Sequence, residues 1–143
     1  KYKKKKISEN FKFVSFNYGI RNADFISIHS PLTKETKNKF NLNTFKKMKK
    51  NSIIINTARG GIINEDDLYK AIKGKLIAGA GLDVLSIEPP KKNYKLLKLD
   101  NVIITPHSAA STEESRIRMA TESLQNIFSF FEKKTYYKKN LIK

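Results

Sequence analysis

Cysteine and tryptophan are absent from this chain of 143 residues, and proline, glycine, methionine and histidine number only four, six, two and two. Without cysteine there are no disulfides, which fits a reducing compartment and makes the cytoplasm the expected setting. Long apolar runs are also missing. The longest, Leu76 to Leu82, falls far short of the roughly 18 residues that a membrane span needs, so a soluble protein without membrane partners is expected. Lys1 to Lys6 are basic apart from Tyr2 but have no apolar core beside them, so no targeting segment is expected. The length suits about one domain.

Acidic residues are few as well: 13 against 29 Lys plus Arg, a formal net charge of +16. Such a balance raises nucleic acid or an anionic surface as a partner. The lysines, however, are scattered over every segment, with small clusters at Lys3 to Lys6, Lys46-Lys47, Lys49-Lys50 and Lys133-Lys134. No arginine-rich stripe and no aromatic stacking platform accompanies them, so they read as solvated surface and nucleic-acid binding is not expected.

Three islands stand out of that lysine background, each just after a short apolar run: Asn56-Thr57-Ala58-Arg59-Gly60-Gly61, Gly81-Leu82-Asp83-Val84 running on to Glu88-Pro89-Pro90, and Thr105-Pro106-His107-Ser108-Ala109. Arginine, acid and histidine delivered at strand ends can converge on one small ligand. Arg59 would fork a carboxylate, His107 would move a proton, and Glu88 would orient the histidine. Taken singly, an arginine before Gly-Gly is usually a surface turn residue and a histidine after proline is usually structural. Their joint occurrence at strand ends points to a site. No metal site is expected.

Along the chain, strands alternate with helices, the pattern of a mainly parallel sheet with flanking helices. Strands are predicted over Phe11 to Phe16, Asp24 to His29, Ser52 to Asn56, Ile77 to Val84 and Val102 to Thr105. The Ile53-Ile54-Ile55 run marks the third as central and buried on both faces. Asn43 is expected to cap a short helix that turns Phe45 and Met48 inward, and Asn64 to cap a helix through Leu68, Ala71 and Ile72 that ends at Gly74. Ser111-Thr112-Glu113-Glu114 reads as a capping box for a long final helix. Its stripe of Ile117, Ala120, Thr121, Leu124, Ile127, Phe128 and Phe131 is expected to cover the sheet.

Asp24 to Thr33 (Asp-Phe-Ile-Ser-Ile-His-Ser-Pro-Leu-Thr), Asn56 to Gly61, Gly79 to Val84 with Glu88-Pro89, and Thr105 to Ala109 together resemble the D-isomer-specific 2-hydroxyacid dehydrogenases, in the branch containing phosphoglycerate dehydrogenase. The resemblance spans about residues 23 to 134 and implies a partial Rossmann-like α/β fold with a long C-terminal helix. It implies NAD as cofactor, a 2-hydroxy acid or 2-oxo acid as substrate, and a homodimer. The implied catalytic residues are Arg59 on the substrate's carboxylate and carbonyl oxygen, His107 as acid and base, and Glu88 holding the imidazole. Around the nicotinamide and its ribose it implies Thr57, Ala58, Arg59 and the stretch His107, Ser108, Ala109 and Ala110, with Asp83 as carboxamide partner. Ser30 and Pro31 would lie along the adenosine side, and His29 reads as structural or cofactor-adjacent.

The chain also departs from the family's pattern. A dinucleotide site needs a strand, a glycine-rich turn and a helix N-terminus for the pyrophosphate. Gly79-Ala80-Gly81 lacks the third glycine and runs straight into a strand, so it is not that fingerprint. The organisation expected is a basic segment at 1–10, the second half of a dinucleotide-binding domain at 11–134, and a polar tail at 135–143. Two further readings stay open: an NAD-sensing corepressor-like binding protein, and an inactive truncated remnant.

Overall fold

The computed structural model describes residues 11–132, so the basic segment at 1–10 and the tail at 135–143 lie outside the described residues. The chain divides after Pro106 into two compact units. The first holds β1 (Phe25–Ile28), β2 (Ile53–Asn56), β3 (Gly79–Leu82) and β4 (Val102–Ile104), with helices α1 (Phe16–Asn22), α2 (Leu42–Phe45) and α3 (Glu65–Lys73) between strands or before them. The second holds α4 (Glu113–Phe131). The four strands form one sheet in the order β1-β2-β3-β4, and every neighbouring pair is parallel. Parallel neighbours require crossovers, and α2 and α3 lie in the first two of them.

Register decides which side chains meet. Ile26, Ile54, Ala80 and Val102 fall in one row, and Ile28, Asn56, Leu82 and Ile104 in another on the same face. That face packs with Phe45, Met48, Leu68, Ala71, Ile72 and Leu96 into the core. On the opposite face Ile53 and Ile55 are half-buried, while Phe25 is 70% and Ile103 71% exposed. The central strand is thus sealed on one side and only partly covered on the other.

Helix α3 forms for the reasons legible in its residues. Asn64 accepts the Asp67 N–H at 3.0 Å, three acids follow in the first turn, and Gly74 ends the helix. Asp67 adds a tertiary link, its Oδ2 accepting the Leu42 N–H at the start of α2 at 3.1 Å.

Several expectations are corrected. Residues 11–15 form no strand; their apolar-polar alternation leads into α1, which Ser15 caps by accepting the Tyr18 N–H at 3.2 Å. Asn41, not Asn43, caps α2, because its Oδ1 accepts both the Asn43 and Thr44 amides, although Phe45 and Met48 are buried as expected. The third of these strands is shorter than Ile77 to Val84, with hydrogen-bonded pairing confined to Gly79–Leu82. At α4 the cap is Thr112, whose hydroxyl accepts the Ser115 N–H at 3.2 Å, and Glu114 accepts from its own amide and from Thr112, which holds its carboxyl below the usual range. Along α4, Ile117, Leu124, Ile127, Phe128 and Phe131 are all exposed. Amphipathic spacing specifies a face to be covered but not what covers it.

Leu68 is fully buried beneath the sheet. Leu68→Ala should lower unfolding free energy by about 2–5 kcal/mol in urea titration. A change below about 1 kcal/mol would mean that the α3–sheet interface is not packed as described.

Candidate active site

Because the four strands run parallel, their carboxyl ends share one rim, the usual place for ligands in open α/β sheets. The loops leaving that rim carry the residues singled out in the sequence. Asn56, the last residue of β2, is buried and organises the first of these loops. Its Nδ2 donates to the Arg59 carbonyl at 2.9 Å while its Oδ1 accepts the Ala58 N–H at 3.0 Å. One side chain thereby closes the Thr57 to Arg59 turn from both directions. The exposed Arg59 guanidinium donates through Nη1 to the Ala58 carbonyl at 2.6 Å.

Gly60 then brings this loop against the next. A Cβ built there would lie 2.0 Å from the Leu85 carbonyl carbon, 2.2 Å from its oxygen and 2.4 Å from the Ser86 nitrogen. Only a residue without a side chain fits, and the contact presses the Arg59 loop onto the loop that leads to Glu88. In that second loop Glu88 Oε1 accepts the Leu85 N–H at 2.7 Å, and the Glu88–Pro89 peptide is cis. Asp83, just past β3, is buried. Its amide donates to the Asn56 carbonyl at 2.9 Å, and its Oδ1 accepts the Thr105 hydroxyl at 2.5 Å.

An open groove of about 640 Å³ lies beside the first loop, lined by His29, Ser30, Pro31, Leu32, Thr57, Ala58 and Arg59. Its wall after β1 braces itself. Thr36 Oγ1 donates to the Pro31 carbonyl at 2.7 Å, and Thr33 Oγ1 donates to Glu35 at 2.5 Å, which holds the Glu35 carboxyl below its usual range. Asn38 ties this wall to the other by donating its amide to the Gly61 carbonyl at 2.9 Å. His29 Nε2 lies 2.7 Å from Ser27 Oγ, so the histidine is fixed at the groove by its own strand. Two hydroxyls, a guanidinium and the apolar surfaces of Pro31, Leu32 and Ala58 suit a sugar and a flat ring, the parts of a dinucleotide.

The second unit opens with His107, which is exposed and has a φ of 53°, in the left-handed region uncommon outside glycine. The Ser108 carbonyl accepts the Ser111 N–H at 2.8 Å, and Ala109 and Ala110 lead to the α4 cap. The structure thus gathers Ser30, Pro31, Thr57, Ala58 and Arg59 round one groove, and joins the Arg59 and Glu88 loops through Gly60. His107, Ser108, Ala109 and Ala110 belong to the other unit. Sequence reasoning missed the supporting roles of Asn56, Gly60 and Thr105. An asparagine closing an isoleucine run and a glycine after the arginine were the available signals. Among the described residues no group of His, Asp or Glu could hold a metal ion, and no helix is long and apolar enough to cross a membrane.

Residues 1–109 match the family model for the D-isomer specific 2-hydroxyacid dehydrogenase, NAD binding domain. The chain belongs to this family. It is 50% identical over 109 residues to the chloroplastic D-3-phosphoglycerate dehydrogenase 2 of Arabidopsis thaliana, covering 76% of this chain and 18% of that protein. With the glyoxylate reductase of Korarchaeum cryptofilum it shares 40% over 119 residues, 83% of this chain and 36% of the relative. The crystal structure of D-lactate dehydrogenase with NAD+ from Lactobacillus jensenii superposes with a TM-score of 0.79 at 33% identity, covering 86% of this chain and 41% of that one. The parallel sheet with its helices is therefore the Rossmann-like fold of this family, and the chain spans well under half the length of these relatives.

Gly60→Ala should force the two loops apart and lower stability by about 1–3 kcal/mol in thermal or urea unfolding. A variant as stable as the parent would show that Gly60 does not touch the Leu85–Ser86 backbone.

Proposed function

We propose that this chain supplies the second half of the nucleotide-binding domain, over residues 11–134, of an NAD-dependent dehydrogenase that interconverts a D-2-hydroxy acid and its 2-oxo acid. The observation that carries the reading is the Gly60 contact. It fixes the Arg59 loop and the Glu88 loop together at the carboxyl ends of adjacent parallel strands, in a chain of this family. The substrate named for the Arabidopsis relative, 3-phosphoglycerate, is the first to try. The reading extends to a homodimer working in the cytoplasm.

Bound NAD would supply the hydride acceptor. Thr57, Ala58 and Arg59 would hold the nicotinamide and its ribose, joined by His107, Ser108, Ala109 and Ala110. Asp83 would accept from the carboxamide, its carboxylate already oriented by the Thr105 hydroxyl. Ser30 and Pro31 would lie along the adenosine.

Arg59 presents a planar fork that matches the substrate's carboxylate, which an ammonium cannot reproduce. As the hydroxyl carbon loses hydride, its oxygen must lose a proton, and a neutral imidazole at His107 accepts it. In the reverse direction the imidazolium returns that proton. Glu88 would hold the imidazole in the tautomer that this step needs.

In the longer protein that this reading requires, 3-phosphoglycerate or another 2-hydroxy acid should yield NADH, followed by absorbance. His107→Ala should reduce kcat by about 10²–10⁴-fold. Arg59→Lys should reduce kcat/KM by at least about tenfold, since a bidentate pair becomes a point contact. Unchanged rates in either variant would make these residues structural. For the 143-residue chain alone, which has no glycine-rich pyrophosphate turn, calorimetry should find NAD binding weaker than micromolar. A micromolar Kd would contradict the division of the cofactor site.

A further inference from the structure

Glu65 enters the sequence pattern only as a first-turn acid of α3, where a solvated carboxylate would serve the helix dipole well enough. Its oxygens are committed elsewhere. Oε1 accepts the Ser86 N–H at 2.6 Å, 21 residues away, and Oε2 accepts the Tyr94 hydroxyl at 2.6 Å, 29 residues away. Ser86 and Tyr94 are the two ends of the segment that carries Glu88 and Pro89.

The surroundings make this a built junction. Tyr94 is half-buried, and burial first, then the Glu65 hydrogen bond, hold its hydroxyl protonated well above the usual tyrosine range. Its amide donates to the Lys91 carbonyl at 2.9 Å, closing the segment's far end. The neighbouring Lys95 pairs with Asp66 and stands 5.2 Å over the Tyr69 ring, so Glu65 and Asp66 of α3 grip Tyr94 and Lys95 in turn. On its other side the Leu85–Ser86 peptide is pressed by Gly60, and the Leu85 amide is the donor to Glu88 Oε1. A peptide held from two sides sets where its own N–H points, and here the adjoining N–H points at the Glu88 carboxylate.

We infer that Glu65, with Tyr94, is a positioning pair that sets the Glu88 carboxylate for the acid–base step. This rests on the dehydrogenase reading above. Glu65 touches neither substrate nor cofactor in it. Its effect travels through the Ser86 amide and the Leu85–Glu88 hydrogen bond, as outer partners generally orient the groups that do the chemistry.

Two measurements on Glu65→Ala, Tyr94→Phe and Glu65→Gln test the inference separately from the reading it rests on. The first is amide hydrogen exchange on the full chain. Glu65→Ala should speed exchange at Leu85 and Ser86 by at least about tenfold while Ile54 and Ala80 keep their rates. The second is steady-state oxidation of a hydroxy acid by the longer enzyme, with kcat and KM measured separately. With Glu88 loosened, kcat should drop about tenfold with the KM for NAD unchanged. Tyr94→Phe should show a smaller change in the same direction. Glu65→Gln should recover most of the rate, because an amide oxygen still accepts from Ser86 and its NH2 can donate to the tyrosine oxygen.

Unaltered exchange at Leu85 and Ser86 overturns the brace whatever the activity. Faster exchange with an unchanged kcat overturns the link to Glu88 and leaves Glu65 holding the loop for stability alone. A parent enzyme that makes no NADH overturns the dehydrogenase reading instead, and the exchange result still decides whether Glu65 fixes the segment.

Discussion

Where two backbones approach as closely as the Gly60 turn and the Leu85–Ser86 peptide, neither loop can be placed without the other. That contact turns two strand-end loops into one rigid rim. Asn56 adds to it from below, because it closes the Arg59 turn with its side chain and receives the Asp83 amide on its own carbonyl. Arginine, buried aspartate and glutamate thus depend on a handful of backbone hydrogen bonds in a region where unmet polar groups would be costly. Among the described residues no buried side-chain nitrogen or oxygen is left without a partner.

The rim is supported in turn by the layer beneath. Parallel register aligns Ile54 with Ala80 and Asn56 with Leu82, so β2 and β3 end level and deliver their loops side by side. Helix α3 seals the core face with Leu68, Ala71 and Ile72 and uses its first-turn acids as tethers: Glu65 to the Glu88 segment, Asp66 to Lys95, and Asp67 to α2. A helix start that could have been merely capped is therefore the hub joining three connections.

Much of this could be read from residue order. The Ile53 to Ile55 run, the Asn64 cap and the Gly74 stop each report a local preference, and each element stands where that preference put it. The errors have physical causes. Phe11 to Phe16 alternates as a strand would, yet Ser15 offers a helix cap within it, and the cap prevails. Asn41 displaces Asn43 because both side chains could cap and only the earlier one precedes the first helical turn. The site was legible as types of residue: a groove with Ser30, Thr57 and Arg59 follows from strand ends. Its supports were not, because the Glu65–Ser86 and Thr105–Asp83 bonds join residues more than twenty apart, and no local pattern encodes such partners.

Phe25 and Ile103, on the sparsely covered side of the sheet, have a colloidal consequence. Greasy rings and branched carbons facing water invite molecules to stick to each other, whereas a surplus of +16 pushes like molecules apart. Dissolved ions shorten the reach of that repulsion, to about 8 Å at physiological strength, without weakening the attraction. Added salt therefore favours self-association of this protein.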